Sequence, residues 1–285
     1  MAITYDNTSK TITVNGTNLH YHEVGQGPAL LLLHGSGPGV TAWANFSENL
    51  EFFSKNYRCI ALDLPGYGKS APISPAGMPD YAKIGIDFLQ ALNISQAHIV
   101  GNSMGGIVGS HMAAIAPQAV ATFTTIGGIG LNIFNAFPAE GLNLLTAFAE
   151  DPSMERLESW LRSMVYDQSI ITPALLESRY KQALDPVTLA STRAIYSRES
   201  IGAIAKMRQS DMGLTGLAYL ARIQAPTLLV WGRDDRVSPL DGCLIPMRMI
   251  PRCELHTFPN CGHWAMIERK KEFEILVRGF IQSHS

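Results

Sequence analysis

The sequence predicts an α/β protein: a mostly parallel sheet with helices on both faces and a helical lid inserted between two of its strands. Three observations carry this. Short apolar runs alternate with helix-length stretches through the first 131 residues, the pattern of a sheet built from strand–helix–strand units. The alternation stops between about Asn132 and Leu217, where the pattern is helical throughout. It resumes at Thr227 and continues towards the C-terminus. The expected organisation is a core over 1–131, a lid over 132–217 and a second core segment over 218–285.

Thr11 to Val14, then Asn15-Gly16, then Leu19 to Val24 read as a β-hairpin around a turn-forming Asn-Gly pair. Ala29 to Leu33 is apolar without interruption, as a strand covered on both faces should be. Tyr57 to Leu62, Ala97 to Val100, Val120 to Ile126 and Thr227 to Trp231 are further short strands, and Ala42 to Phe53, Pro79 to Leu92 and Met104 to Ala116 are helices between them. In the lid, Leu157, Trp160, Leu161, Met164 and Val165 fall on one face of a helix. Pro138, Pro152, Pro173 and Pro186 divide the lid into several helices. Glu254 to Phe258 returns to the sheet, and a last helix places Phe273, Leu276, Val277 and Phe280 on one face. A lid in this position covers the carboxyl edge of the strands, where open α/β folds bind ligands.

A chain of 285 residues, 46% hydrophobic and 16% charged, can bury a substantial core and has the composition of a compact soluble protein. Its net charge of −2, from 22 basic and 24 acidic residues, points to neither nucleic acid nor an anionic membrane as partner. Met1 to Lys10 is polar and lacks the apolar core of a secretory signal. No apolar run approaches the roughly 18 residues of a spanning helix, so a cytoplasmic location is expected. Cys59, Cys243, Cys253 and Cys261 show no CxxC spacing and are expected to be reduced thiols. No HExxH or Cys/His cluster occurs, so neither a metal nor an organic cofactor is expected.

The chemistry is concentrated in Gly101-Asn102-Ser103-Met104-Gly105, a G-x-S-x-G turn fed by a strand and opening a small-residue helix. A serine hydroxyl is a weak nucleophile and needs an exposed corner, a base and an anion-stabilising pocket. In this architecture the partners follow in the order acid, then histidine. Trp231-Gly232-Arg233-Asp234-Asp235 places an acid beyond a strand end, and spacing alone leaves Asp234 and Asp235 both open. The alternative acid position, after Val120 to Ile126, holds Gly127-Gly128. Cys261-Gly262-His263-Trp264 sets a glycine-flanked histidine before the last helix. The glycine-rich turn His34-Gly35-Ser36-Gly37-Pro38-Gly39 lets backbone N–H groups point inward, and those of Ser36 and Met104 are the expected oxyanion donors.

With these residues in place the chain resembles the α/β-hydrolases, and more narrowly the meta-cleavage-product hydrolases, which cut a carbon–carbon bond in ring-fission products of aromatic catabolism. The resemblance covers nearly the whole chain. It is carried by His34 to Phe46 (HGSGPGVTAWANF), Gly101 to Gly106 (GNSMGG), Tyr166 to Tyr180 (YDQSIITPALLESRY), WGRDDRVSPLDG and CGHW. It implies Ser103 as nucleophile, Asp235 as acid and His263 as base. It implies a 2-hydroxy-6-oxo-hexa-2,4-dienoate substrate whose carboxylate and hydroxyl end meets Arg179, Asn45, Asn102, Trp264, Ser169 and the turn at Gly37. Ser36 stands where some members have glycine, but the pocket uses its N–H either way. A variable group at the ketone end would meet lid residues such as Phe134, Leu144, Phe148 and Met164. The resemblance further implies a homo-oligomer, a dimer or larger, and no cofactor. Two other readings share these residues: an esterase or lactonase, because the triad accepts any acyl carbonyl, and a ligand sensor that keeps the fold without the chemistry.

Overall fold

The computed structural model describes residues 2–74, 77–210 and 212–284. A short helix α1 (Tyr5–Thr8) precedes the hairpin β1 (Ser9–Val14) and β2 (Thr17–Val24). There follow β3 (Ala29–Leu33), α2 (Ala42–Phe53), β4 (Arg58–Leu62), α3 (Met78–Ala91), β5 (Ala97–Asn102), α4 (Met104–Ile115) and β6 (Val120–Ile126). Between β6 and the next strand lie α5 (Glu140–Glu150), α6 (Met154–Met164), α7 (Pro173–Ala183), α8 (Pro186–Tyr196), α9 (Arg198–Gln209) and α10 (Met212–Thr215). The chain closes with β7 (Thr227–Gly232), α11 (Leu244–Met249), β8 (Cys253–Phe258), α12 (Ala265–Glu268) and α13 (Lys270–Ser283). The helix α1 carries no periodic apolar signal; Thr4 caps it by accepting from Asn7 N–H.

Among the described residues the strands form one sheet in the order β1-β2-β4-β3-β5-β6-β7-β8. Only the β1–β2 and β2–β4 pairs are antiparallel; from β4 onwards every pair is parallel. The period-2 geometry of a strand explains the continuous apolar runs. Leu31 and Leu33 of β3 and Ile99 of β5 enter one apolar layer, with Phe88 and Met112 of α3 and α4. Their neighbours Leu30, Leu32 and Val100 enter the opposite layer, with Phe46 of α2 and Phe273 of α13. Fully burying each such leucine is worth roughly 1.5–3 kcal/mol, so every second position of a central strand anchors a different helix layer. Leu157, Trp160, Leu161 and Met164 of α6 are buried in the second of these layers. The four cysteines are free, and burial pushes the Cys59 thiol up to about 12, which makes it inert at neutral pH.

A buried polar network fixes the start of α2, which carries Asn45. Asp63, at the end of β4, accepts from Ala42 N–H (2.8 Å) and Lys69 N–H (3.1 Å) and pairs with His20 Nδ1 (2.8 Å). Gly68, at φ +55°, is required there, because a Cβ would stand 2.0 Å from the Asp63 carboxylate. Beside it His22 is wholly buried, and burial, reinforced by His20, lowers its pKa from 6.5 to about 4. The unfolded imidazole, near 6.5, therefore takes up a proton first. Stability should be intact above about pH 6.5 and fall as the pH drops from there towards 4, by at most about 1.4 kcal/mol per pH unit from this group. A Tm scan over that window should show a smaller acid loss in His22→Asn than in the wild type. Identical slopes would remove His22 from the account.

Candidate active site

The strand β5 ends in Asn102 and α4 begins at Met104, so Ser103 alone makes the turn. It adopts φ +51° and ψ −117°, a left-handed backbone that costs a non-glycine residue on the order of 1–3 kcal/mol. The flanking glycines make that corner possible. A Cβ at Gly101 would stand 2.3 Å from the Gly105 carbonyl oxygen, and one at Gly105 would stand 2.1 Å from that of Leu33. Ser103 N–H is anchored on the Ile126 carbonyl at 2.8 Å, which ties the corner to the neighbouring strand.

The loop after β7 supplies Asp235 and the loop after β8 supplies His263. Asp235 Oδ1 accepts from the N–H groups of Val237 and Ser238, both at 2.8 Å, and Oδ2 faces His263 Nδ1 at 2.7 Å. Both side chains are about 1% exposed. A carboxylate held on three donors keeps the imidazole proton on Nδ1 and leaves Nε2 free to accept one. Asp234 instead meets Arg233 and the N–H of Cys261, so the choice that spacing left open is made by geometry: Asp235 pairs with the histidine. Gly127, where the alternative acid would stand, has φ +57°, and a Cβ there would press on the His263 ring at 3.0 Å.

The glycine-rich turn expected to hold an oxyanion is set by His34, whose ring sequence reasoning passed over. His34 Nε2 accepts from Leu64 N–H at 2.9 Å, so its proton is on Nδ1 and is donated to the Gly35 carbonyl at 2.5 Å. Burial lowers the His34 pKa and keeps the ring in the neutral form this needs. Because the peptide is trans, fixing the Gly35 carbonyl towards His34 turns the Ser36 N–H away from it. The Ser36 hydroxyl is taken up by the Tyr196 hydroxyl of α8. Met104 opens α4, where a first-turn N–H has no partner within the helix and the helix dipole favours an anion. Gly37, at φ +125°, has the ring of Trp160 against it; a Cβ would stand 2.9 Å from that ring. The Trp160 indole N–H is buried without a partner. Its periodic spacing read as lid core, and nothing in the sequence marks the free donor.

The remaining predicted residues divide. Asn45 Nδ2 donates to Asn102 Oδ1 at 3.0 Å, and Asn102 Nδ2 donates to the carbonyls of Ile126 (3.2 Å) and His263 (3.4 Å). Asn102 is thus a scaffold joining β5, β6 and the base loop, whereas Asn45 Oδ1 is buried with no partner. Arg179 is 2% exposed. Its Nη1 donates to the Gly39 carbonyl at 2.9 Å, its Nε–H has no partner, and its guanidinium lies 5.4 Å from the Trp264 ring centroid. Burial lowers its pKa to about 10, so it stays charged at neutral pH. No carboxylate pairs with it among the described residues.

Two expectations are corrected. Ser169 is exposed, and its N–H and hydroxyl both close on Asp167 Oδ1; this local turn takes it out of the site. Phe134 is 81% exposed. The Asp241 carboxylate captures the N–H groups of Ile133 and Phe134, both at 2.6 Å, and with the backbone held there the phenyl ring faces solvent. Phe148 and Met164 are buried and Leu144 is half-buried in the same apolar layer.

Glu268 was also missed. Its carboxylate accepts from Tyr166 N–H (2.7 Å) and Asp167 N–H (3.0 Å) on one oxygen and from Gly262 N–H (2.7 Å) on the other. His263 N–H donates to Met164 O at 2.7 Å. The end of α6 and the loop bearing the histidine are therefore one hydrogen-bonded unit.

A strained serine corner, a buried His–Asp pair and a sheet of this order define an α/β hydrolase. A family described by the alpha/beta hydrolase fold matches residues 28–270, and the chain belongs to it. Curated relatives narrow the class. A 2-hydroxy-6-oxononadienedioate/2-hydroxy-6-oxononatrienedioate hydrolase of Burkholderia vietnamiensis is 38% identical over 287 residues, 96% of each chain. A 2-hydroxy-6-oxo-6-phenylhexa-2,4-dienoate hydrolase of Burkholderia cepacia is 35% identical over 285 residues, again 96% of each. Among solved structures, the meta-cleavage product hydrolase from Pseudomonas fluorescens IP01 superposes with a TM-score of 0.86 at 32% identity, over 97% of this chain and 98% of that one. The chain is a member of the meta-cleavage-product hydrolases, enzymes of carbon–carbon bond hydrolysis.

Proposed function

We propose that Ser103, His263 and Asp235 carry out this hydrolysis on a 2-hydroxy-6-oxo-hexa-2,4-dienoate, with the helices α5 to α10 as the cover over the site. The observation that carries the reading is Arg179. A buried guanidinium with no counter-ion is costly unless an anion completes it, and its fork suits a carboxylate. A simple ester offers no such group.

The substrate carboxylate lies on Arg179, beside Trp264, and its C2 oxygen meets Asn45. Held there, the dienol shifts a proton from the C2 hydroxyl to C5, which prepares that carbon as a leaving group. His263 Nε2 takes the proton of Ser103 as the hydroxyl oxygen attacks the C6 ketone. Negative charge develops on the ketone oxygen and is held by the N–H groups of Ser36 and Met104, each such donor being worth roughly 3–4 kcal/mol of barrier. The C5–C6 bond then breaks, its electron pair passes through the conjugated chain to the C2 oxygen, and His263 gives that dienolate the proton it took from Ser103, so 2-hydroxypentadienoate leaves with His263 neutral again. Water deprotonated by His263 hydrolyses the acyl-serine and releases a carboxylic acid. The protein is read as a cytoplasmic homo-oligomer, a dimer or larger, and sedimentation of the purified chain tests the assembly.

Loss of the dienolate colour on a 2-hydroxy-6-oxo-dienoate should far outpace cleavage of a simple aryl ester. The reverse order would make the protein an esterase. Arg179→Ala should lower kcat/KM on the dienoate by about 100- to 1000-fold, since truncating one partner of a buried charged pair costs 2–5 kcal/mol. It should also slow the ketonisation step seen in a stopped-flow trace. Wild-type kinetics in that variant would take Arg179 out of the site.

A further inference from the structure

The mechanism leaves one half-buried cation unused. Gly127, whose Cβ position lies against the His263 ring, also walls a cavity of about 40 Å³ together with Gly128, Leu142, Trp231 and Val237. Arg208 of α9 reaches into this wall. Its guanidinium lies 4.1 Å from the Phe137 ring centroid and makes one long hydrogen bond, 3.4 Å, to the Gly130 carbonyl. Arg193 donates to the Ala149 carbonyl at 3.0 Å, and Arg156, Arg162, Arg198 and Arg236 each pair with a carboxylate. Arg208 pairs with none among the described residues, although it is more withdrawn from water, and burial lowers its pKa. A ring face and one weak carbonyl do not replace the hydration a guanidinium loses.

We infer that Arg208 is a specificity residue of this hydrolase and holds an anionic group, a carboxylate, on the substituent at the ketone end of the substrate. The inference rests on the carbon–carbon reading above. The cavity adjoins the reacting groups: a Cβ at Gly127 would stand 3.0 Å from the His263 ring, and one at Gly128 would stand 2.7 Å from the Ser103 carbonyl oxygen. A substituent on a carbonyl held between Ser103 and His263 would enter it past these two glycines. Gly127 and Gly128 carry no side chain that would block it. A space of about 40 Å³ takes two or three water-sized groups, at roughly 15 Å³ each, which suits a carboxylate better than a ring. The acid released from such a substrate is a dicarboxylate.

The test compares two dienoates of equal tail length, one ending in a carboxylate and one in its methyl ester. The wild type should prefer the carboxylate tail. In Arg208→Met the ratio of kcat/KM values, anionic over neutral, should fall at least tenfold and mainly through KM, and Arg208→Lys should restore part of it. A ratio unmoved by Arg208→Met, or a wild type that prefers the ester tail, overturns the assignment. Should the variants fail to fold, the wild type alone decides: succinate should inhibit at least tenfold more strongly than butyrate, and equal inhibition overturns it. Both tails turned over with no role for Arg208 would refute this inference alone. A wild type that bleaches neither dienoate but cleaves aryl esters would refute the carbon–carbon reading itself.

Discussion

Ser103→Ala should reduce turnover of the dienoate by on the order of 10⁶-fold while leaving the substrate bound, because loss of a nucleophile in such a triad removes the whole covalent route. The change deletes only a hydroxyl, and the contacts that hold the corner are made by the backbone: Ser103 N–H on the Ile126 carbonyl and Leu33 against Gly105. Folding should survive. Titration of the variant with dienoate, followed by its absorbance, should show saturation without bleaching. Turnover within tenfold of the wild type would mean that water, and not the serine, attacks the ketone.

Asp235→Asn should lower kcat by about 10⁴-fold with KM little changed, the effect expected when the histidine loses its orienting carboxylate. The structure gives the physical reason. Asp235 Oδ1 is fixed by Val237 and Ser238, so only Oδ2 is free for His263 Nδ1. An amide must place its oxygen on the two backbone donors, and its NH₂ then faces Nδ1. The imidazole answers by moving its proton to Nε2, where it can no longer take one from Ser103. Asp234→Asn, on the outer side of the same loop, is the control. If the two variants lose activity equally, the loop and not the tautomer is being measured.

The order of the fold was legible because each layer announces itself. Ala29 to Leu33 is buried on both faces and shows it as an unbroken apolar run, and Ala42 to Phe53 carries the apolar face of a helix. The candidate serine and histidine were legible for a similar reason, a serine between glycines and a histidine after a glycine being local signals, whereas spacing alone left the acid open between Asp234 and Asp235. What stayed hidden depends on contacts between distant residues. Ser169 lies in a motif that resembles the family, yet its hydroxyl is taken by Asp167 two residues away. Trp160 and Arg208 belong to helices whose patterns describe only burial, and the unpaired indole N–H of the one and the want of a carboxylate beside the other are visible only in three dimensions. His34 was read as the start of a glycine turn, whereas its ring sets the turn's direction.

The bond from His263 N–H to Met164 O and the Glu268 bridge to Tyr166, Asp167 and Gly262 have a further consequence. The roof cannot lift at the α6 corner without moving His263 with it, so passage of substrate and product is expected elsewhere along the lid. Removing the Glu268 carboxylate would then register as a disturbed pH–rate profile, not as faster passage. Shelter from water and readiness to move a proton are gained and lost together at that corner.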